Sequence, residues 1–200
     1  MQLPDVTVTA RRLLAMKRIL LTGMSGTGKS SVIHALTDLG YKAIDTDEGW
    51  CEQLPDGRQR WHEDAIATLM ATEDADVLFV AGCEENQVLF HPQFDLIILL
   101  SAPIHTMMQR LGARTGNPYG KAPGDLGRVL DDTKNIEPLL RRAADHEIST
   151  TMPLHDVATG ILRLAGERVS GRRLRHPHLP RTGRPSRALE RAGRGRSGGG

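Results

Sequence analysis

Cysteine is nearly missing from this 200-residue chain: Cys51 and Cys83 are its only two. Two thiols cannot build a disulfide framework, so both read as reduced cytosolic side chains. No apolar run approaches the length of a membrane span, and the start of the chain lacks a long apolar signal region. A membrane partner is therefore not expected, and the expected compartment is the cytoplasm. Metal-ligand spacing is missing too. His91, His105, His155 and the remaining histidines are scattered, so none points to a zinc site and each reads as a surface or packing residue. No internal repeat is present.

The small formal net charge, +2, hides a split. Through residue 166, 16 Lys and Arg face 22 Asp and Glu; from Glu167 onward, 10 Arg face two Glu. The last stretch is rich in Gly, Pro and Arg and nearly free of apolar residues. It cannot bury enough surface to offset the entropy of ordering, so residues 167–200 are expected to be a disordered tail. Electrostatics would allow nucleic acid or another acidic partner there and nowhere else on the chain; a merely solubilising extension is the plainer reading. Residues 1–15 read as an N-terminal extension, with Met16 an alternative start immediately before the first strand. One domain, residues 16–166, is left between them.

What the chain does have is Gly23-Met24-Ser25-Gly26-Thr27-Gly28-Lys29-Ser30, a full match to the phosphate-binding template G-x-x-x-x-G-K-[ST]. Its surroundings are those the template requires. Arg18-Ile19-Leu20-Leu21-Thr22 before it reads as a buried parallel strand. After it, Val32, Ala35, Leu36 and Leu39 share one helix face, and Gly40 is placed to cap the helix. Glycines let the backbone come close to a polyphosphate, and loop amides then converge on its oxygens at a helix N-terminus. Gly23, Met24, Ser25, Gly26, Thr27, Gly28, Lys29, Ser30 and the following Ser31 are the expected contacts to ATP. Lys29 would place its charge on the β- and γ-phosphates, and the Ser30 hydroxyl would ligate Mg²⁺.

The rest of the chain alternates strands and helices. Strands are expected at 41–44, ending in Asp45-Thr46-Asp47, and at 77–81, 95–100 and 147–149. Helices are expected over 59–71, with Ala65, Ile66, Leu69 and Met70 on one side, and after Pro103, with Ile104, Met107, Met108 and Leu111 inward. Others cover Leu126, Val129 and Leu130, then Leu139, Leu140 and Ala143. The last follows Pro153, with Leu154, Val157, Ala158, Ile161 and Ala165 inward. Such alternation gives an α/β fold with a parallel sheet between helices.

With these landmarks, residues 16–166 resemble the small P-loop kinases, the adenylate, shikimate and gluconate kinase group of P-loop NTPases. Asp45-Thr46-Asp47 looks like the D-[ST]-D of shikimate kinases. Arg110 and Arg114, before a Gly/Pro-rich loop, look like the start of a mobile lid. Pro138-Leu139-Leu140, Ala144-Asp145 and Ser149-Thr150 are similar to the group's run into its fifth strand. The resemblance implies a five-stranded parallel sheet in the order 2-3-1-4-5, with ATP at the strands' C-terminal edge. It further implies that Asp45 holds Mg²⁺ through water, that Asp47 faces an acceptor hydroxyl, and that Arg110 and Arg114 supply positive charge beside Lys29. Arg141 or Arg142 could do the same, but neighbours on a helix do not share a face. Trp50, Arg58, Arg60 and Trp61 fall in the insertion where the group binds its acceptor, although Trp61 reads equally as core.

Two departures leave the acceptor open. Ala81-Gly82-Cys83-Glu84-Glu85 stands where shikimate kinases carry a glycine triplet, putting acids in place of a flexible backbone contact. Adenylate kinases place an Asp at the end of strand three, where this chain has Ala81 or Gly82. The leading expectation is an ATP-dependent kinase acting on a small hydroxylated metabolite, as monomer or dimer. The alternative is a nucleotide-binding regulatory module with slow hydrolysis, whose basic tail engages RNA or another acidic partner.

Overall fold

The computed structural model describes residues 16–55, 58–113 and 125–167. Strand β1 (Lys17–Thr22) leads through the glycine loop into helix α1 (Lys29–Asp38), then β2 (Lys42–Asp45). A short hairpin follows, β3 (Cys51–Gln53) and β4 (Gln59–Trp61), then α2 (Glu63–Met70) and β5 (Val77–Ala81). Two 3₁₀ turns (Glu85–Leu89 and His91–Gln93) lead to β6 (Leu96–Ser101) and α3 (Ile104–Ala113). Helices α4 (Asp125–Asn135) and α5 (Glu137–Ala143), strand β7 (His146–Ser149) and α6 (Leu154–Leu164) complete the described chain. None of the described helices is long and apolar enough to cross a membrane.

The main sheet has five strands in the order β2-β5-β1-β6-β7, all parallel. Numbered among these five alone, the order is 2-3-1-4-5, as the resemblance implies. Alternation along β1 explains the layers, because successive side chains of a strand point to opposite faces. Ile19 and Leu21 pack with Val32 and Leu36 of α1 and with Val157 and Ile161 of α6. Leu20 faces the other way, into a cluster with Leu78 and Val80 of β5, Trp61, Ile66 and Phe90. Strand β5 is buried along its whole length, which is why it reads as a continuous apolar run. Helix α1 ends as its sequence suggests: Gly40 adopts φ +89° and the Tyr41 N–H reaches the Leu36 carbonyl at 3.0 Å.

Two sequence expectations change, and one open alternative closes. Residues 59–61 are not the start of a helix but strand β4, paired with β3 through Cys51↔Trp61 and Gln53↔Gln59. The reason lies far away in sequence. The Asn86 side-chain amide accepts from the Trp61 N–H at 2.9 Å and donates to the Trp61 carbonyl at 3.0 Å, serving as a one-residue strand partner. Trp61 is core: it is 0% exposed. Its Nε1 donates to the Thr46 hydroxyl at 2.8 Å, so it does not line an acceptor pocket. Leu154, expected inward on α6, is instead 42% exposed. The extension (1–15), Arg114 with the rest of the lid loop (115–124), and the tail beyond Glu167 lie outside the described residues.

Candidate functional site

The sheet's C-terminal edge carries the glycine loop, and each glycine there is sterically required. A Cβ at Gly23 would run into the Leu100 carbonyl of β6, and one at Gly26 would lie 2.8 Å from the Met107 carbonyl of α3. Both residues also have positive φ, as does Gly28, the residue preceding α1. Helix α1 has no side-chain cap and no acidic residue in its first turn, so its leading amides stay available to a ligand.

Lys29 is 7% exposed, and its Nζ donates to the Gly23 carbonyl at 2.7 Å and, more weakly, to the Met24 carbonyl at 3.4 Å. Among the described residues no carboxylate forms an ion pair with it. An ammonium held by carbonyls has no carboxylate to release before it meets an anion, and a polyphosphate fits that arrangement. The Ser30 hydroxyl, half-buried on the same turn, has no protein partner among the described residues. No group of three or more His, Cys, Asp or Glu among them forms a metal cage. A divalent ion would therefore be held by Ser30, water and the nucleotide's own phosphates, the arrangement Mg²⁺ favours.

A cavity of about 410 Å³ opens over the loop. Its lining is Ser25 to Val32, Asp47 from the turn after β2, Arg110 and Leu111 of α3, Thr150, Met152, and Leu154 and Val157 of α6. Met152 and Leu154 are partly exposed there, at 45% and 42%. These apolar residues make a wall suited to a nucleobase. Sequence reasoning placed Val157 and Leu154 on a helix core face and missed this role for both.

Of the predicted site residues, Lys29, Ser30, Asp47 and Arg110 share that cavity. Arg110 is already engaged: one guanidinium nitrogen donates to the Thr27 carbonyl at 3.2 Å and the Thr150 hydroxyl at 2.9 Å, and the other to the Thr150 carbonyl at 2.7 Å. Thr150 in turn donates to the Thr27 carbonyl at 2.7 Å, tying the end of β7 to the loop. Arg110 thus braces the loop's far end while staying on the cavity wall. Asp45 is set back. It is buried, its Oδ1 accepts the Asp47 N–H at 3.2 Å, and it lines a neighbouring groove instead of the loop cavity. Arg141 is held on the surface by Glu137 (2.6 Å) and Glu147 (2.8 Å).

Glu84 was legible only as part of an acidic stretch. Burial, helped by Asp47, pushes its carboxyl up to about 7, against the opposing pull of Lys29. Glu84 therefore stands within electrostatic reach of both the phosphate lysine and the turn acid. Cys51, half-buried beneath the same turn, is pushed up to about 12 by burial and then by Glu84, Asp47 and Asp45. Burial raises the Cys83 thiol as well. Neither cysteine is a reactive thiolate at neutral pH.

No protein-family model matches the chain. Among curated proteins, it is 31% identical over 157 residues to a nucleotide-binding protein of Rhodospirillum centenum, covering 74% of this chain and 46% of that one. It is 29% identical over 161 residues to a nucleotide-binding protein of Dinoroseobacter shibae, covering 78% and 53%. The chain spans about half the length of the curated relatives it matches. Among solved structures, a shikimate kinase from Acinetobacter baumannii in complex with shikimate superposes with TM-score 0.59 at 20% identity, covering 78% of this chain and 96% of that one. A shikimate kinase from Bacteroides thetaiotaomicron gives 0.57 at 16% identity, covering 76% and 99%. A gluconokinase from Sinorhizobium meliloti gives 0.50 at 19% identity, covering 75% and 94%. The fold is that of the small P-loop kinases, and the chain is similar in sequence to nucleotide-binding proteins.

Proposed function

We propose that this protein transfers the γ-phosphoryl group of ATP to a hydroxyl of a small metabolite. The observation that carries this reading is the convergence, in one cavity, of a carboxylate-free buried ammonium (Lys29), an unengaged Ser30 hydroxyl and the Asp47 carboxylate. The first two serve any nucleotide-binding protein; the third adds the carboxylate that an acceptor hydroxyl needs. When bound, ATP supplies the phosphoryl group and Mg²⁺ neutralises charge on its phosphates. The loop amides and Lys29 hold the phosphates in line, and Arg110 keeps the loop's far end fixed through Thr150. Asp47 orients the acceptor hydroxyl and takes its proton. The acceptor's oxygen–phosphorus bond forms as the bond to the β-phosphate oxygen breaks, and that electron pair leaves on ADP.

The test is ADP release across a panel of hydroxylated metabolites with ATP and Mg²⁺. Lys29→Ala should abolish transfer with the fold intact. Asp47→Asn should lower kcat far more than ATP affinity, by about 10²-fold or more, the scale of a lost general base. An equal loss of both would assign the carboxylate to the nucleotide. The names of the sequence relatives, nucleotide-binding proteins, favour a second reading as a regulatory nucleotide-binding module. Deleting residues 167–200 separates the two: a kinase keeps its ATP affinity and turnover, whereas a module loses its partner.

A further inference from the structure

Strand β2 ends the sheet: β5 pairs with one side of it, and no described strand pairs with the other. An open edge of this kind is a template for further pairing, and folded proteins generally cover it. Three consecutive β2 residues, 43–45, line one groove of about 340 Å³. Successive side chains of a strand point to opposite faces, so a groove that meets all three follows the strand's open side. Its lining combines apolar Ile33, Ile44 and Trp50 with the acids Asp38, Asp45 and Glu48. None of these carboxylates forms an ion pair among the described residues. Lys42, the cation of β2, is taken by Asp74.

The chain itself supplies a partner of matching chemistry at the same place. Glu167, the last described residue, accepts a hydrogen bond from the Tyr41 hydroxyl at 3.4 Å, and Tyr41 directly precedes β2. Residues 168–200 therefore start beside the head of the open edge, and they carry ten Arg against one Glu. A segment too poor in apolar residues to fold alone can still order against a partner of opposite charge. The path from Tyr41 to Trp50 is nine residues, at most about 32 Å, and nine extended tail residues cover it. The first nine, residues 168–176, include four Arg and no proline, so each has an N–H to offer a strand edge. Direction agrees as well. Helices α1 and α6 pack on one face of the sheet, so a strand leading from α6 to the β2 edge repeats the hand of the β1–α1–β2 crossover.

We propose that residues 168–176 dock in cis along the open edge of β2, adding a strand to the sheet. Their guanidinium groups meet Asp38, Asp45 and Glu48 and the face of the Trp50 indole. The test uses the dilute full chain with p-benzoylphenylalanine in place of Leu174, irradiated at low salt and mapped by mass spectrometry. Cross-links should stay within one chain and fall on residues 33–50. Asp38→Lys combined with Glu48→Lys should reduce them by about fivefold or more, the scale of two exposed ion pairs. Salt raised to about 1 M should do the same, because it screens exposed charges beyond about 3 Å. Asp64→Lys combined with Glu73→Lys changes charge equally at exposed positions on and after α2, across the sheet from α1, and should leave them intact. Acrylamide quenching gives a second reading, since Trp61 is 0% exposed and Trp50 is the accessible tryptophan. Quenching should rise when salt or the Asp38 and Glu48 reversals dislodge the tail. Cross-links that join two chains, spread over other faces, or survive both salt and charge reversal overturn the proposal. Should the reversed variant not fold, the salt series on the unaltered groove decides.

Discussion

Glu84→Gln makes a stability prediction that needs no ligand. Burial, then the Asp47 charge, lifts the Glu84 carboxyl from 4.5 to about 7, with Lys29 pulling the other way. A carboxyl raised in the folded state binds its proton more tightly there than in the unfolded chain. Its contribution is therefore fully present below pH 4.5 and is lost as pH rises through about 7. Undiminished, such a displacement would correspond to roughly 3 kcal/mol. Glu84 keeps part of its surface in water, which screens Asp47, so the expected loss is about 1–2 kcal/mol. Glutamine keeps the shape and has no charge to gain. Urea unfolding of both proteins at about pH 5 and about pH 8 should show the variant gaining on the parent at the higher pH, the other carboxylates cancelling in the difference. A difference that does not change with pH, or one that grows in favour of Glu84 as pH rises, refutes the burial of this carboxyl beside Asp47.

Gly82→Ala should destabilise the protein by about 1–3 kcal/mol, the usual cost of overpacking. The new Cβ would lie 2.7 Å from Trp61 Cζ2 and 2.9 Å from its Nε1, with the Thr46 hydroxyl also in the way. Urea unfolding followed by tryptophan emission reads it, and an unchanged midpoint would place Trp61 elsewhere. Thr150→Val should cost about 1–2 kcal/mol, because the Thr27 carbonyl and the Arg110 guanidinium both lose the hydroxyl partner they share. It should also weaken ATP binding measured by calorimetry, since the loop loses its brace; stability loss with unchanged ATP affinity would confine Thr150 to a structural role.

The phosphate half of the site was legible because backbone geometry dictates residue type there. Only glycine satisfies the approach of Leu100 to Gly23 and of Met107 to Gly26, so the requirement is written directly into the string. Central strands were legible for a related reason: burial on both faces demands unbroken apolar runs, as at Val77–Ala81. The β3–β4 hairpin gave no such signal. Its strands are three residues each and mostly polar, and they are secured by Asn86, 25 positions beyond Trp61. Periodicity around Ala65 and Ile66 therefore drew the helix boundary back to residue 59, four positions before its true start at Glu63.

The meeting of Asp47 with Glu84 was obscure because it comes from juxtaposition. Glu84 and Asp47 are 37 positions apart in the chain and acquire meaning only once β2 and β5 lie side by side. Leu154 shows the same effect among apolar residues: helical spacing assigns it to the core, while the turn after β7 delivers it to the cavity wall with Met152. Trp61 then explains why the arrangement holds its shape. Packed against Phe90 and bonded to Thr46, it locks the hairpin to the turn that carries Asp47. The insertion's conspicuous aromatic is thus spent on rigidity.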